Sequence, residues 1–85
     1  MLIHTPKALA SFCSSHRRSK KLSQAYVGTE VCLKQTTVSK FELKPDNTHL
    51  DTLFRILAAL DLEMQIVPKE KSRELIDQKK WTEEW

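Results

Sequence analysis

The sequence predicts an all-α fold of four to five short helices followed by one short β-strand, and three observations carry that reading. The 85 residues hold a single glycine and three prolines, too few turn formers for an all-β chain. Apolar residues recur at three- and four-residue spacing through most of residues 5–60, the period of a helix with one buried face. The stretch 62–67 breaks that period and alternates apolar with polar, the period of a strand. Length predicts one domain with a thin core, over residues 1–67. A charged tail, 68–85, follows it.

The first helix begins at Thr5-Pro6. Threonine caps free amides, and proline at the first helical position loses no hydrogen bond. Leu9, Phe12, Cys13 and His16 follow at helical spacing and carry the helix to about Ser19, with His16 at the edge of the core. Ser23 is the N-cap of a short second helix holding Ala25, Tyr26, Val27, Gly28 and Val31. Gly28 weakens that helix, which is explained if a neighbouring helix approaches closely. Cys32-Leu33 forms a tight corner. A third helix, about Gln35 to Phe41, turns Val38 and Phe41 inward and leaves Gln35, Thr36, Ser39 and Lys40 outside.

After a loop around Pro45-Asp46-Asn47, Thr48-His49-Leu50-Asp51 reads as a capping box with Asp for the usual Glu. Leu50, Leu53, Phe54, Leu57 and Leu60 then form the clearest helical stripe in the chain. In the strand, Leu62, Met64 and Ile66 share one face and Pro68 ends the run. A lone strand leaves its backbone groups unpaired, and Leu2-Ile3 is too short to serve as its partner. Pairing with the same strand of a second copy predicts a homodimer. Continuation of the fourth helix through 62–64 is the alternative. From Lys69 onward the chain is dense in charged residues, with Leu75 and Ile76 its only aliphatics, and reads as disordered or marginally helical. Trp81 and Trp85, the only tryptophans, lie within it.

The net charge of +3 divides unevenly. Residues 1–46 carry eight basic against three acidic side chains, a net of +5, and the remainder six against eight, a net of −2. The basic part suits a phosphate backbone, although a solvated surface has the same composition. No apolar run approaches the roughly 20 residues of a membrane span. No signal-peptide stretch is visible at the start, which predicts a cytoplasmic protein. Two cysteines without further ligands predict buried or semi-buried free thiols and no metal site. His4, His16 and His49 lie in separate segments, with no nucleophile–base spacing and no glycine-rich phosphate loop. Neither an enzyme, a cofactor nor a small-molecule substrate is expected.

The stretch Leu22-Ser23-Gln24-Ala25 through Gln35-Thr36-Thr37-Val38-Ser39-Lys40-Phe41-Glu42 resembles the helix-turn-helix of the Cro and lambda-repressor-like (XRE) family. That resemblance implies a lambda-repressor-like domain whose third helix enters the major groove of double-stranded operator DNA with its first residues on base edges. Glutamine at the first exposed position suits adenine. By position, Gln35, Thr36 and Lys40 read bases, Lys34, Thr37 and Ser39 touch phosphates or bases, and Gln24 donates to a phosphate. Arg17 and Glu42 occupy the places of a structural ion pair, with Arg17 in reach of a phosphate as well. The chain departs from the pattern at Lys21 and Cys32, where the family commonly has glycine. Those sites favour positive φ, and another residue there costs about 1 kcal/mol.

A narrower resemblance runs through Leu33-Lys34-Gln35, Phe41-Glu42, Pro45-Asp46-Asn47-Thr48, Thr52-Leu53-Phe54, Ile56-Leu57 and Met64 to Glu84-Trp85. It is to the HipB antitoxins. It implies an autorepressor that binds palindromic operators as a dimer closed by a small β-lid, and that holds a HipA-type kinase toxin inactive. Trp85, with Trp81 nearby, would then anchor the toxin, while packing of both on their own domain is the plainer reading. A free-standing XRE-type regulator, or the DNA-binding member of a three-part toxin–antitoxin system, fits the same residues.

Overall fold

A computed structural model of the chain describes residues 2–70. Its elements are α1 (Pro6–Ser19), α2 (Gln24–Glu30), α3 (Gln35–Leu43) and α4 (Leu50–Ala59), with a 3-10 turn at Pro45–Asn47; residues 69–70 are helical as well. The expectations for Leu75, Ile76, Trp81 and Trp85 fall outside the described residues.

Thr5 starts α1 as expected, its Oγ1 accepting from the Ala8 amide at 3.0 Å. Ser23 does the same for α2, accepting from Tyr26 at 3.0 Å. The capping box before α4 does not form. His49 is the N-cap and no side chain caps the helix, because Thr48 is held in the preceding turn, its amide donating to Pro45 at 3.0 Å.

The core is Ala10, Cys13, Val27, Val38, Phe41, Leu53, Ile56, Leu57 and Leu60. All four helices contribute or abut it, which seats α2 and α3 on one common base. Two stripes are rotated from their sequence reading. In α1 the innermost positions are Ala10, Cys13 and Arg17, with Phe12 at the surface stacked on His16, ring centroids 6.1 Å apart. In α4 the innermost residue is Ile56, while Leu50 and Phe54 are 69% and 53% exposed. A stripe wider than one packing face necessarily leaves part of itself uncovered.

The chain leaves α4 through Asp61, at φ 62°, with Leu62 donating back to Leu57 at 2.8 Å. That exit rules out a helix continuing through 62–64. Residues 62–68 adopt no regular structure, and no strand occurs among the described residues. The strand read from the alternation therefore does not form within one chain, which offers it no partner edge. Leu62 is half-buried against the core, whereas Met64 and Ile66 are exposed, Ile66 by 88%. Together with residues 2–6 and the start of α4, this segment borders an apolar groove of about 820 Å³.

Candidate nucleic-acid interface

Two short helices, α2 and α3, are joined by a sharp corner, with Lys34 and Lys40 exposed on the second of them and at its start. The corner is built on Gly28. Its carbonyl accepts from Val31 at 3.1 Å and from Leu33 at 2.8 Å, which draws the turn back across the end of α2. A Cβ on Gly28 would lie 2.5 Å from the Leu33 carbonyl oxygen. The glycine is thus required by turn backbone and not by a neighbouring helix. Cys32 takes φ 60° and Lys21, at the corner before α2, takes φ 59°. These are the two sites where glycine was missed in the sequence, and both side chains bear the left-handed conformation. Cys32 is exposed there, against the expectation of a buried or semi-buried thiol, because the corner points it outward.

The corner aims α3. Val38 and Phe41 are 1% and 2% exposed and fix its inner face. Lys34, Gln35, Thr36 and Lys40 are exposed, and Thr37 and Ser39 half-buried. Lys34 is the N-cap by backbone position only, and no side chain caps α3. The N-terminal end of the helix thus presents polar groups outward with a positive dipole end behind them.

Behind α3 lies a polar lock. Arg17 of α1 donates through Nε to Glu42 Oε2 at 2.7 Å and through Nη2 to Glu42 Oε1 at 3.1 Å. Its Nη1 donates to the Leu22 carbonyl at 2.8 Å. Gln24 Nε2 also donates to Glu42 Oε1, at 3.0 Å. The Arg17 and Glu42 side chains are 11% and 8% exposed, and the paired fork geometry gives both strength and direction. Burial by itself would raise the Glu42 carboxyl, but the hydrogen bonds from Arg17 and Gln24 and the Arg17 charge hold it below the usual glutamate range. Beneath it, burial and the Glu42 charge push the Cys13 thiol up to about 11.

This geometry sorts the residues read from sequence. Lys34, Gln35, Thr36 and Lys40 share an open surface, with Thr37 and Ser39 at its margin. Arg17 is the hub of the lock, its guanidinium committed to three internal bonds and withdrawn from the surface. Gln24 is tied to Glu42 through one amide hydrogen and sits half-buried at the start of α2. Its role as locking residue was missed in the sequence, where its position in the motif signalled only a phosphate. Among the described residues no cluster of three metal-ligating side chains occurs. No helix among them is long and apolar enough to cross a membrane.

A helix-turn-helix family model (HTH_3) matches residues 15–67. Among characterised proteins, the chain is 38% identical over 64 residues to antitoxin HipB of Escherichia coli O6:H1, covering 75% of this chain and 68% of that protein. It has the same identity over the same length to antitoxin HipB of Escherichia coli K12, covering 73% of it. Among solved structures, one described as a HipB–O4 20mer complex superposes with a TM-score of 0.78 at 35% identity, over 80% of this chain and 96% of that one. A HipA–HipB–O2–O3 complex gives 0.79 at 35% identity, with the same coverage.

Proposed function

The chain belongs to the helix-turn-helix family and, within it, to the HipB antitoxins; from that premise we propose that it is a cytoplasmic, dimeric DNA-binding antitoxin that represses its own operon and binds a HipA-type kinase toxin. One observation carries the DNA-binding part: α3 buries Val38 and Phe41 while presenting Gln35, Thr36 and Lys40 beside Lys34 on an uncapped helix end. Gln35, Thr36 and Lys40 contact base edges, and Lys34, Thr37 and Ser39 contact phosphates or bases. Gln24 reaches a phosphate with the amide hydrogen that Glu42 leaves unused. Arg17 acts through Gln24 and Glu42, and touches no DNA itself.

The partner copy docks on the apolar side. Leu62, Met64 and Ile66 pair with the same residues of a second chain, joined by exposed Leu2, Ile3 and Leu50 around the groove. So much contiguous apolar surface is costly to leave in water. The dimer sets two α3 helices about 34 Å apart, in successive major grooves of a palindromic operator. Trp85 and Trp81 anchor the toxin, as large aromatics do at interfaces.

Fluorescence titration of the DNA upstream of the gene tests this reading. Gln35→Ala is expected to weaken operator binding by about 1–3 kcal/mol and to relax preference at one base position. Unchanged affinity and preference would remove α3 from the reading role. Removal of residues 81–85 is expected to spare operator binding and weaken toxin binding in calorimetry. Equal toxin affinity with and without them would assign the toxin contact elsewhere.

A further inference from the structure

Three basic side chains outside the helix-turn-helix are not used by the function so far described: Arg18, Lys20 and Lys21, at the corner between α1 and α2. All three are exposed, and none is in an ion pair among the described residues, where the ion pairs are Arg17–Glu42 and Arg55–Asp51. We propose that they form a phosphate clamp that grips the DNA strand flanking the segment read by α3. This rests on the DNA-binding reading above and extends its footprint.

The clamp is preshaped. The Lys20 amide donates to the His16 carbonyl at 3.1 Å, the Lys21 amide to Arg18 at 2.9 Å and the Leu22 amide to Arg17 at 3.1 Å, so every amide of the corner is bonded. It is also stitched to the reading helix. The Leu22 carbonyl, next after Lys21, accepts from the same Arg17 guanidinium that grips Glu42 of α3. One buried side chain thus sets the distance from the corner to α3. Gln24, three residues beyond Lys21, hangs from the same carboxylate. The basic corner is therefore held in a fixed position relative to α2 and α3.

The negative end of α1 does not account for these charges. A helix terminus carries about half an elementary charge, whereas the corner places three unpaired cations there. Lys21 also takes the left-handed conformation, which glycine would adopt at a saving of about 1 kcal/mol. A lysine there adds a cation where glycine would add none.

The salt dependence of binding tests the clamp on the full chain. The probes are a duplex spanning the footprint on the gene's own upstream DNA and a second duplex trimmed at both ends to the bases read by α3. A variant with Arg18→Gln, Lys20→Gln and Lys21→Gln is compared with the parent chain. With about 0.9 counterions released per phosphate contact, the slope of log affinity against log salt should fall by about 3 per protomer on the long duplex. On the trimmed duplex it should change by less than one. Discrimination between operator and scrambled DNA should be preserved. Lys7→Gln controls for net charge, since Lys7 lies about 17 Å from Arg18 and about 20 Å from Lys20 along α1, beyond the Debye length of about 8–10 Å; its slope should match that of the parent. Circular dichroism verifies that the triple variant folds, and Lys21→Asn alone keeps a residue that tolerates positive φ while removing one charge. An unchanged slope on the long duplex in the folded triple variant, or an equal fall with Lys7→Gln, overturns the clamp while leaving DNA binding intact. If the parent chain binds neither duplex, the clamp and the DNA-binding reading fall together.

Discussion

The two sides of this small domain satisfy their groups in opposite ways. The side carrying α2 and α3 is closed within the chain: Arg17, Glu42, Gln24 and the Leu22 carbonyl bond one another, and Gly28 holds the turn. The opposite side, from Leu2-Ile3 across Leu50 to Met64 and Ile66, leaves large apolar side chains facing solvent around an open groove. A surface that must meet DNA in one orientation gains from being rigid before contact. A surface that is apolar and uncovered is finished only by assembly.

The sharpest way to break this comparison is to open the lock. Glu42→Ala strands the Arg17 guanidinium in a site where it is 11% exposed, and a buried pair broken on one side costs about 3–5 kcal/mol. Urea denaturation should register that loss. Replacing both partners, with Arg17→Met and Glu42→Leu, should restore most of the stability while loosening Gln24. The lock also has a pH signature. Against burial, hydrogen bonds from Arg17 and Gln24 hold the folded Glu42 carboxyl below the ordinary glutamate value of 4.5, so its contribution is complete above that ordinary value and is lost as pH falls through the lower, folded one. Urea midpoints at pH 7 and pH 3 should therefore differ more for the parent chain than for Glu42→Gln.

The next largest effect is expected at Gly28. A methyl there meets backbone 2.5 Å away, and backbone cannot rotate aside as a side chain can. Gly28→Ala should cost about 1–3 kcal/mol, read as a lower Tm, and should weaken operator binding by misaiming α3. On the apolar side the prediction reverses. Ile66 is 88% exposed in the isolated chain, so Ile66→Asp should leave the monomer's stability nearly unchanged. It should weaken self-association at least tenfold, about 1.4 kcal/mol, in sedimentation equilibrium. A large loss of monomer stability would mean that this side is not an assembly surface.

The smallest effect concerns the corner. Cys32→Gly relieves a left-handed non-glycine residue and should stabilise by no more than about 1 kcal/mol, since glycine also gains freedom when unfolded. The same position distinguishes the two thiols. Cys32 is exposed, whereas Cys13 is buried and pushed up to about 11. A thiol reagent at pH 8 should modify Cys32 at once and Cys13 only as the chain unfolds.

Local chemistry made the helices readable. Thr5, Pro6 and Ser23 mark helix starts by what their own atoms do to adjacent amides, and Val38 and Phe41 mark the inner face of α3 by spacing alone. The absence of glycine at Lys21 and Cys32 left open a slightly different corner or two strained residues, and both residues carry positive φ. Asp61 carries it too, yet nothing in its neighbourhood signals a turn. The capping box at Thr48 failed because the preceding 3-10 turn claimed that residue first. The apolar stripe of α4 was recognised, but which of its members are covered depends on what packs there, and Leu50 and Phe54 proved to face outward.

Periodicity and capping, which act within four residues, determined where the four helices lie, their approximate limits and the outward face of α3. Tertiary structure decided what distance in sequence conceals. Arg17 and Glu42, 25 positions apart, and Gln24 between them meet at one carboxylate. The Leu33 carbonyl settled why Gly28 must be glycine. A short-range code records how each segment prefers to bend; only packing establishes which segments touch, because burial and ion pairing belong to the assembled chain.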